Sequence, residues 1–214
     1  MPASPRRVLL LIDVQNEYFT GRLPIAHPPV ETSLRNIGLA LEAARGAGIP
    51  VVRVLHDGPE NGPVFARGSD GWRPHPAVAG LPVDHTVHKT RASAFAGTDL
   101  ADWLAARDID TVTVAGYMTH NCDAATIFEA LQRGFGAEFL SDASGSPAYR
   151  NAAGQASAEE IHRVFCTVFH SNFAAVATTA DWIEAIGAGR ALEKDNVYLS
   201  GQRALAGAGT PVQG

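Results

Sequence analysis

Cysteine is scarce: Cys122 and Cys166 are the only two in 214 residues, too few for the disulfide framework of a small secreted domain. Charge is sparse as well. Charged residues make up 18% of the chain, the net charge is −5, and Arg6–Arg7 is the one basic cluster. That argues against nucleic acid or an anionic membrane surface as a partner. Nowhere does an apolar run approach the roughly 20 residues that a bilayer span requires. The run at 8–12 is cut by Asp13 too early for a signal peptide. Internal repeats and linkers are missing too. What remains is a composition with 46% hydrophobic residues, enough for one ordinary globular domain in a reducing, cytosolic setting.

The pattern along the chain alternates strands with helices. Residues 1–6 read as a loose leader. Val8–Ile12 is a continuous apolar run of the kind a central strand covered on both faces shows. Val30, Leu34, Ile37, Leu41 and Ala44 step by three and four as on an amphipathic helix, and Pro50–Leu55 is the next strand. Residues 56–83 form a long Pro- and Gly-rich connection, a length that is often functional. His85–His88 predicts a brief strand, Thr98 a cap for a helix through Leu104, and 110–115 a strand. A helix is expected over 122–133, a strand over 136–140 and a polar loop over 141–144. A helix near 155–169, a strand over 173–178 and a helix over 181–186 complete the series, with 187–214 as a tail. Such alternation specifies an α/β fold, a mostly parallel six-stranded sheet between helical layers in a three-layer αβα sandwich.

The carboxyl ends of parallel strands meet along one edge, where open α/β folds bind ligands. Asp13, Lys89 and Cys122 each fall just after a predicted strand, so three distant residues can converge. Cys122 lies where a strand has ended and a helix begins. Free N–H groups and the positive end of the helix dipole there favour a thiolate. Asp13, next to apolar walls, suits a general base. Cys166, inside Val164–Phe169, reads as core.

In combination these residues resemble the isochorismatase-like cysteine hydrolases, the superfamily of nicotinamidases, N-carbamoylsarcosine amidohydrolases and isochorismatases. The resemblance runs from about Arg7 to Ile186. It rests on Leu–Leu–Ile–Asp13–Val–Gln–Asn, on Lys89–Thr–Arg–Ala–Ser–Ala–Phe95, on Ala–Gly116–Tyr–Met–Thr119–His–Asn–Cys122, and on Ser141–Asp142–Ala143. It implies a catalytic triad of Asp13, Lys89 and Cys122, a cis peptide at Tyr117–Met118, and an oxyanion hole from the N–H groups of Met118 and Cys122. The implied chemistry is cleavage of a C–N bond in a small amide, lactam or ureido compound through a thioester on Cys122. The family's habit implies a homodimer or homotetramer.

Two departures qualify the match. The Asp-x-His metal motif of nicotinamidases is replaced by His56–Asp57–Gly58, and the spacing of His56, His75, His85 and His88 fits no ligand signature, so neither metal nor cofactor is expected. Asp123 stands where the family usually has a small apolar residue. It is expected to point outward or cap the helix. Phe19, Trp72 and Tyr117, on predicted loops near the triad, are the expected substrate walls. Vinyl-ether hydrolysis of the isochorismatase kind is a rival reading that would not use the thiol. Binding or assembly without catalysis is a second.

Overall fold

The computed structural model describes residues 4–208. Its elements run β1 (Arg7–Ile12), α1 (Val30–Gly46), β2 (Val51–His56), α2 (Pro76–Ala79), β3 (His85–Lys89), α3 (Leu100–Ala105), β4 (Thr111–Tyr117), α4 (Ala124–Gln132), β5 (Gly136–Gly145), β6 (Tyr149–Asn151), β7 (Gly154–Ala156), α5 (Ala158–Val168), β8 (Ala175–Ala177), α6 (Thr179–Gly187) and α7 (Val197–Ala208). Six strands form one parallel sheet in the order β3-β2-β1-β4-β5-β8. The αβα sandwich expected from the alternation is therefore what the chain builds. Among the described residues, no helix is long and apolar enough to cross a membrane.

Strand alternation sorts the core into two layers. In β1, Val8, Leu10 and Ile12 pack on one face with Phe95, Leu100, Ile127 and Phe169. Leu9 and Leu11 pack on the other with Ile37, Leu41 and Trp182. All of β1 is buried, which is why it reads as an unbroken apolar run.

The chain winds outward from β1 through β2 to β3, then returns to place β4 against the other side of β1. The winding direction reverses between β1 and β4, and a crevice opens at their carboxyl ends. Gly116 makes that junction close: its φ is +124°, and a Cβ there would lie 2.0 Å from the Ile12 carbonyl oxygen. No other residue fits.

Several expectations change. Arg7 belongs to no surface basic patch. It is buried at the opposite end of the sheet, where Nε and Nη2 pair with the Glu138 carboxylate at 2.8–3.0 Å. Thr113 Oγ1 and Trp182 Nε1 also donate to Glu138, at 2.8 and 2.9 Å. Ser141–Ser144 is not a loop. A register shift between Val114 and Gly116 lets β5 keep pairing with β4 as far as Gly145. Residues 149–156 form an antiparallel hairpin, β6–β7, so α5 starts later than expected, behind a Ser157/Glu160 capping box. The segment Phe169–Phe173 is a π turn, which shortens the following strand to Ala175–Ala177. The tail holds a helix, α7; residues 209–214 lie outside the described residues.

Replacing Glu138 with Ala leaves the Arg7 guanidinium buried without its counter-charge. The expected loss is about 3–5 kcal/mol of unfolding free energy, read by urea denaturation; a loss below about 1 kcal/mol would deny the pair its structural role.

Candidate active site

Asp13 follows β1 directly, in the left-handed region with φ +49°. Its amide is anchored on the Val54 carbonyl at 3.0 Å. Lys89 is the last residue of β3, two strands away. Its side chain spans the end of β2 to reach the crevice. Lys89 Nζ donates to Asp13 Oδ2 at 2.7 Å, to Cys122 Sγ at 3.3 Å and to the Arg91 carbonyl at 3.2 Å. Asp13, Lys89 and Cys122 are 0, 1 and 4% exposed. Three residues separated by 76 and 33 positions thus share one buried ammonium.

Cys122 sits in a π turn, Thr119–Asp123, that joins β4 to α4. The Tyr117–Met118 peptide entering it is cis. Among the described residues, the Met118 amide donates to no acceptor, while its carbonyl accepts from Asn121 and Asp123 at 2.9 and 3.2 Å. Thr119 Oγ1 shares a 2.8 Å hydrogen bond with His162 Nδ1, which ties the turn to α5.

The electrostatics differ from the expectation of a resting thiolate. Burial, then the neighbouring Asp13 carboxylate, push the Cys122 thiol well up, and Lys89 only partly opposes them. The helix start does not outweigh desolvation. Burial alone would lower Lys89, yet Asp13 and Cys122 hold it above its usual value. The resting site is therefore an ammonium beside a neutral thiol. His56, at the end of β2, lies 3.4 Å from Lys89 Nζ through Nδ1. Burial first, and then Lys89, keep its pKa below the usual 6.5.

Asp123 neither points outward nor caps α4. It is fully buried, and both carboxylate oxygens lack hydrogen-bond partners among the described residues. Burial and then Asp13 raise its pKa well above the carboxylate range, and Lys89 eases this only in part. The neutral acid is the form that such a position tolerates. Since a π turn replaces the first turn expected of the helix, the residue after the cysteine is rotated inward.

Of the expected walls, Tyr117 is corrected. It ends β4 rather than sitting on a loop, and is completely buried. With Ala115 it faces the α1 layer, its hydroxyl 2.8 Å from Ser33 Oγ. Phe19 and Trp72 are half-buried. The Phe19 ring lies 4.2 Å from that of His75. Trp72 Nε1 donates to Asp57 Oδ1 at 2.7 Å and its ring stacks on His88. The histidines of this region are dispersed: His85 pairs with Asp99, His88 with Asp57, and His75 caps α2. Among the described residues, no three His, Cys, Asp or Glu side chains cluster as a metal site would need.

His56 escaped the sequence reading as a neighbour of Lys89, although the rule that found Asp13 would have found it at a strand end. The pairing of His120, within the π turn, with Tyr149 beside it gave no signal because the hairpin carrying Tyr149 was not anticipated.

A family model described as Isochorismatase domain matches residues 7–181. A crystal structure of an isochorismatase-type protein from Burkholderia xenovorans LB400 superposes with a TM-score of 0.96 at 57% identity, covering 97% of this chain and 100% of that one. The uncharacterized isochorismatase family protein YddQ of Bacillus subtilis (strain 168) is 28% identical over 82% of this chain and 98% of its own length. An N-carbamoylsarcosine amidase of Arthrobacter sp is 28% identical over 61% of this chain and 56% of its own length.

Burial, and then His27, hold the His162 pKa at about 4, against an unfolded value near 6.5. Between those values the unfolded chain binds a proton that the folded chain refuses, so stability falls as pH drops from about 6.5 to about 4 and levels off below. The contribution at stake is up to about 3 kcal/mol. His162→Asn is expected to flatten the pH dependence of urea unfolding in that window; an unchanged slope would mean that His162 is not the group refused its proton.

Proposed function

Because the chain belongs to the isochorismatase family of hydrolases, we propose that it is a cysteine hydrolase that cleaves a C–N bond of a small molecule through a thioester on Cys122. One observation carries the reading: a single buried ammonium, Lys89 Nζ, hydrogen-bonds both the Asp13 carboxylate at 2.7 Å and the Cys122 sulfur at 3.3 Å. An amidase among the relatives supports the amide side of the family's chemistry.

In the proposed cycle the thiol starts neutral. Asp13 takes its proton as the sulfur attacks the carbonyl carbon, and the carbonyl electron pair moves onto oxygen. The free Met118 amide and the Cys122 amide donate to that oxygen; removing one such donor typically costs about 3 kcal/mol of transition-state stabilisation. Collapse of the tetrahedral adduct breaks the C–N bond, and the departing nitrogen takes the proton back from Asp13. Water then gives a proton to Asp13 and attacks the thioester carbonyl. The carbon–sulfur bond breaks, an acid leaves, and Asp13 returns the proton to sulfur. Lys89, hydrogen-bonded to Asp13 and to the Cys122 sulfur, offsets the charge that develops on sulfur. Phe19 and Trp72 serve as flanking walls in this scheme, and neither a metal nor a cofactor is invoked.

Ammonia release from a panel of small carboxamides tests the reaction. Cys122→Ala is expected to lose at least about a thousandfold in kcat while remaining folded. Rapid-quench mass spectrometry of the unmodified enzyme is expected to find an acyl adduct on the peptide carrying Cys122. Undiminished turnover in Cys122→Ala would refute the covalent route, and pyruvate release from isochorismate without any adduct would transfer the assignment to vinyl-ether hydrolysis. Lys89→Met is expected to lower kcat by about a hundredfold or more with little change in KM, because the charge it offsets develops only during reaction.

A further inference from the structure

The Lys89 ammonium carries three hydrogens and has four acceptors within reach. Asp13 Oδ2 lies 2.7 Å from Nζ, the Arg91 carbonyl oxygen 3.2 Å, Cys122 Sγ 3.3 Å and His56 Nδ1 3.4 Å. The Lys89 side chain is sealed from solvent, so bulk water does not relieve the competition. The Asp13 carboxylate is the strongest acceptor of the four, and the Arg91 carbonyl is fixed backbone two residues further on. One hydrogen is left for two claimants, a thiol sulfur and an imidazole nitrogen.

His56 is held where it stands. The buried Gln15 amide clamps its backbone: the His56 N–H donates to Gln15 Oε1 at 2.8 Å, and Gln15 Nε2 donates to the His56 carbonyl at 3.0 Å. The Phe65 ring meets the imidazole edge-on at 5.3 Å between centroids. The charged groups that face the imidazole are Lys89 of β3, Asp13 after β1 and the adjacent Asp57. Asp57 is engaged elsewhere, by Trp72 Nε1, His88 and Arg67. A proton on Nδ1 would point at the ammonium. The neutral ring therefore carries its hydrogen on Nε2 and turns the Nδ1 lone pair toward Lys89. Burial first, and then Lys89, oppose a second proton on the ring.

The balance between the two claimants depends on the state of the sulfur. A neutral thiol is a weak acceptor, against which an imidazole lone pair competes well. A thiolate is an anion and takes the hydrogen outright. Loss of the thiol proton at rest thus requires giving up the contact between Lys89 and His56, which adds to the effect of burial on Cys122.

We propose that His56 is a positioning residue that shares one Lys89 hydrogen with Cys122 and so restrains the resting thiol until charge develops on the sulfur. The inference deepens the hydrolase reading, which supplies the use of the thiol, but thiol reactivity can be measured without turnover.

The rate at which iodoacetamide labels Cys122 in the full-length protein at neutral pH, read by peptide mass spectrometry, tests it. His56→Leu fills the place of the ring without an acceptor. It is expected to label at least about fivefold faster than the unmodified protein, because the freed hydrogen stabilises the thiolate. His56→Asn sets an amide oxygen where Nδ1 stands and is expected to label within about twofold of the unmodified protein. Asparagine is the smaller side chain, so a mere gain in access would favour it over leucine. Labelling of Cys166 in the same samples is expected to stay constant, whereas a loosened fold would raise it as well. Cys122 labelling in His56→Leu that is unchanged, slower or absent would overturn the proposal, as would His56→Asn reacting as fast as His56→Leu. Imidazole 15N spectra of the unmodified protein need no variant to fold: His56 is expected to be neutral with Nδ1 bare, and a hydrogen on Nδ1 at neutral pH would equally overturn it. Failure of the hydrolase reading is separate, since it appears as retained turnover in Cys122→Ala.

Discussion

Two charges buried against one another hold the site together. Asp13 and Lys89 are fully desolvated and 2.7 Å apart. Burying either one without the other would leave an uncompensated charge out of water, at a cost of several kcal/mol. Each is therefore the condition for the other. Because Asp13 closes β1 and Lys89 closes β3, the pair also fixes how the ends of three adjacent strands meet. Cys122 is added to this pair rather than being its centre, and its thiol takes its electrostatic character from the two ions.

The sheet supplies the geometry that the pair needs. Reversal of the winding between β1 and β4 opens the crevice, and Gly116 lets the two strand ends approach without a side chain between them. Lys89 is the one functional side chain long enough to act from two strands away. A shorter cation at the end of β3 would stop over β2, where His56 stands. At the other end of the same sheet, Arg7 and Glu138 form a second buried ion pair tied to Trp182 of α6.

The buried acid beside Cys122 fits the same logic. A second carboxylate charge next to Asp13 would oppose both the ion pair and any developing thiolate. Complete burial keeps Asp123 protonated and removes that conflict. The resting site then carries one positive and one negative charge, flanked by neutral groups: the Cys122 thiol, Asp123 and His56. In the proposed reaction, the negative charge that builds up would meet Lys89 and backbone amides rather than a second carboxylate at Asp123.

Much of this was legible in the residues, and what was not has identifiable causes. The six strands of the sheet and their mostly parallel arrangement follow from apolar runs alternating with helical spacing, whereas their order does not. Asp13, Lys89 and Cys122 stood out because each falls just after a predicted strand. The hairpin at 149–156 was missed because its residues are exposed, and exposed pairs leave no hydrophobic period. The continuation of β5 through Ser141–Gly145 was hidden because its polar residues imitate a loop, and pairing with β4 resumes at Ser144 only after a bulge within β5 itself. Tyr117 was misplaced by one strand end: as the last residue of β4 it obeys the alternation and turns to the core. Sequence by itself determined the fold class and the chemical identity of the three groups, since both depend on local periodicity and residue type. Tertiary structure alone decided that Lys89 bridges the other two, that the thiol rests protonated and that Asp123 turns inward. Those outcomes depend on distance and on exclusion of water, which no local stretch of chain encodes.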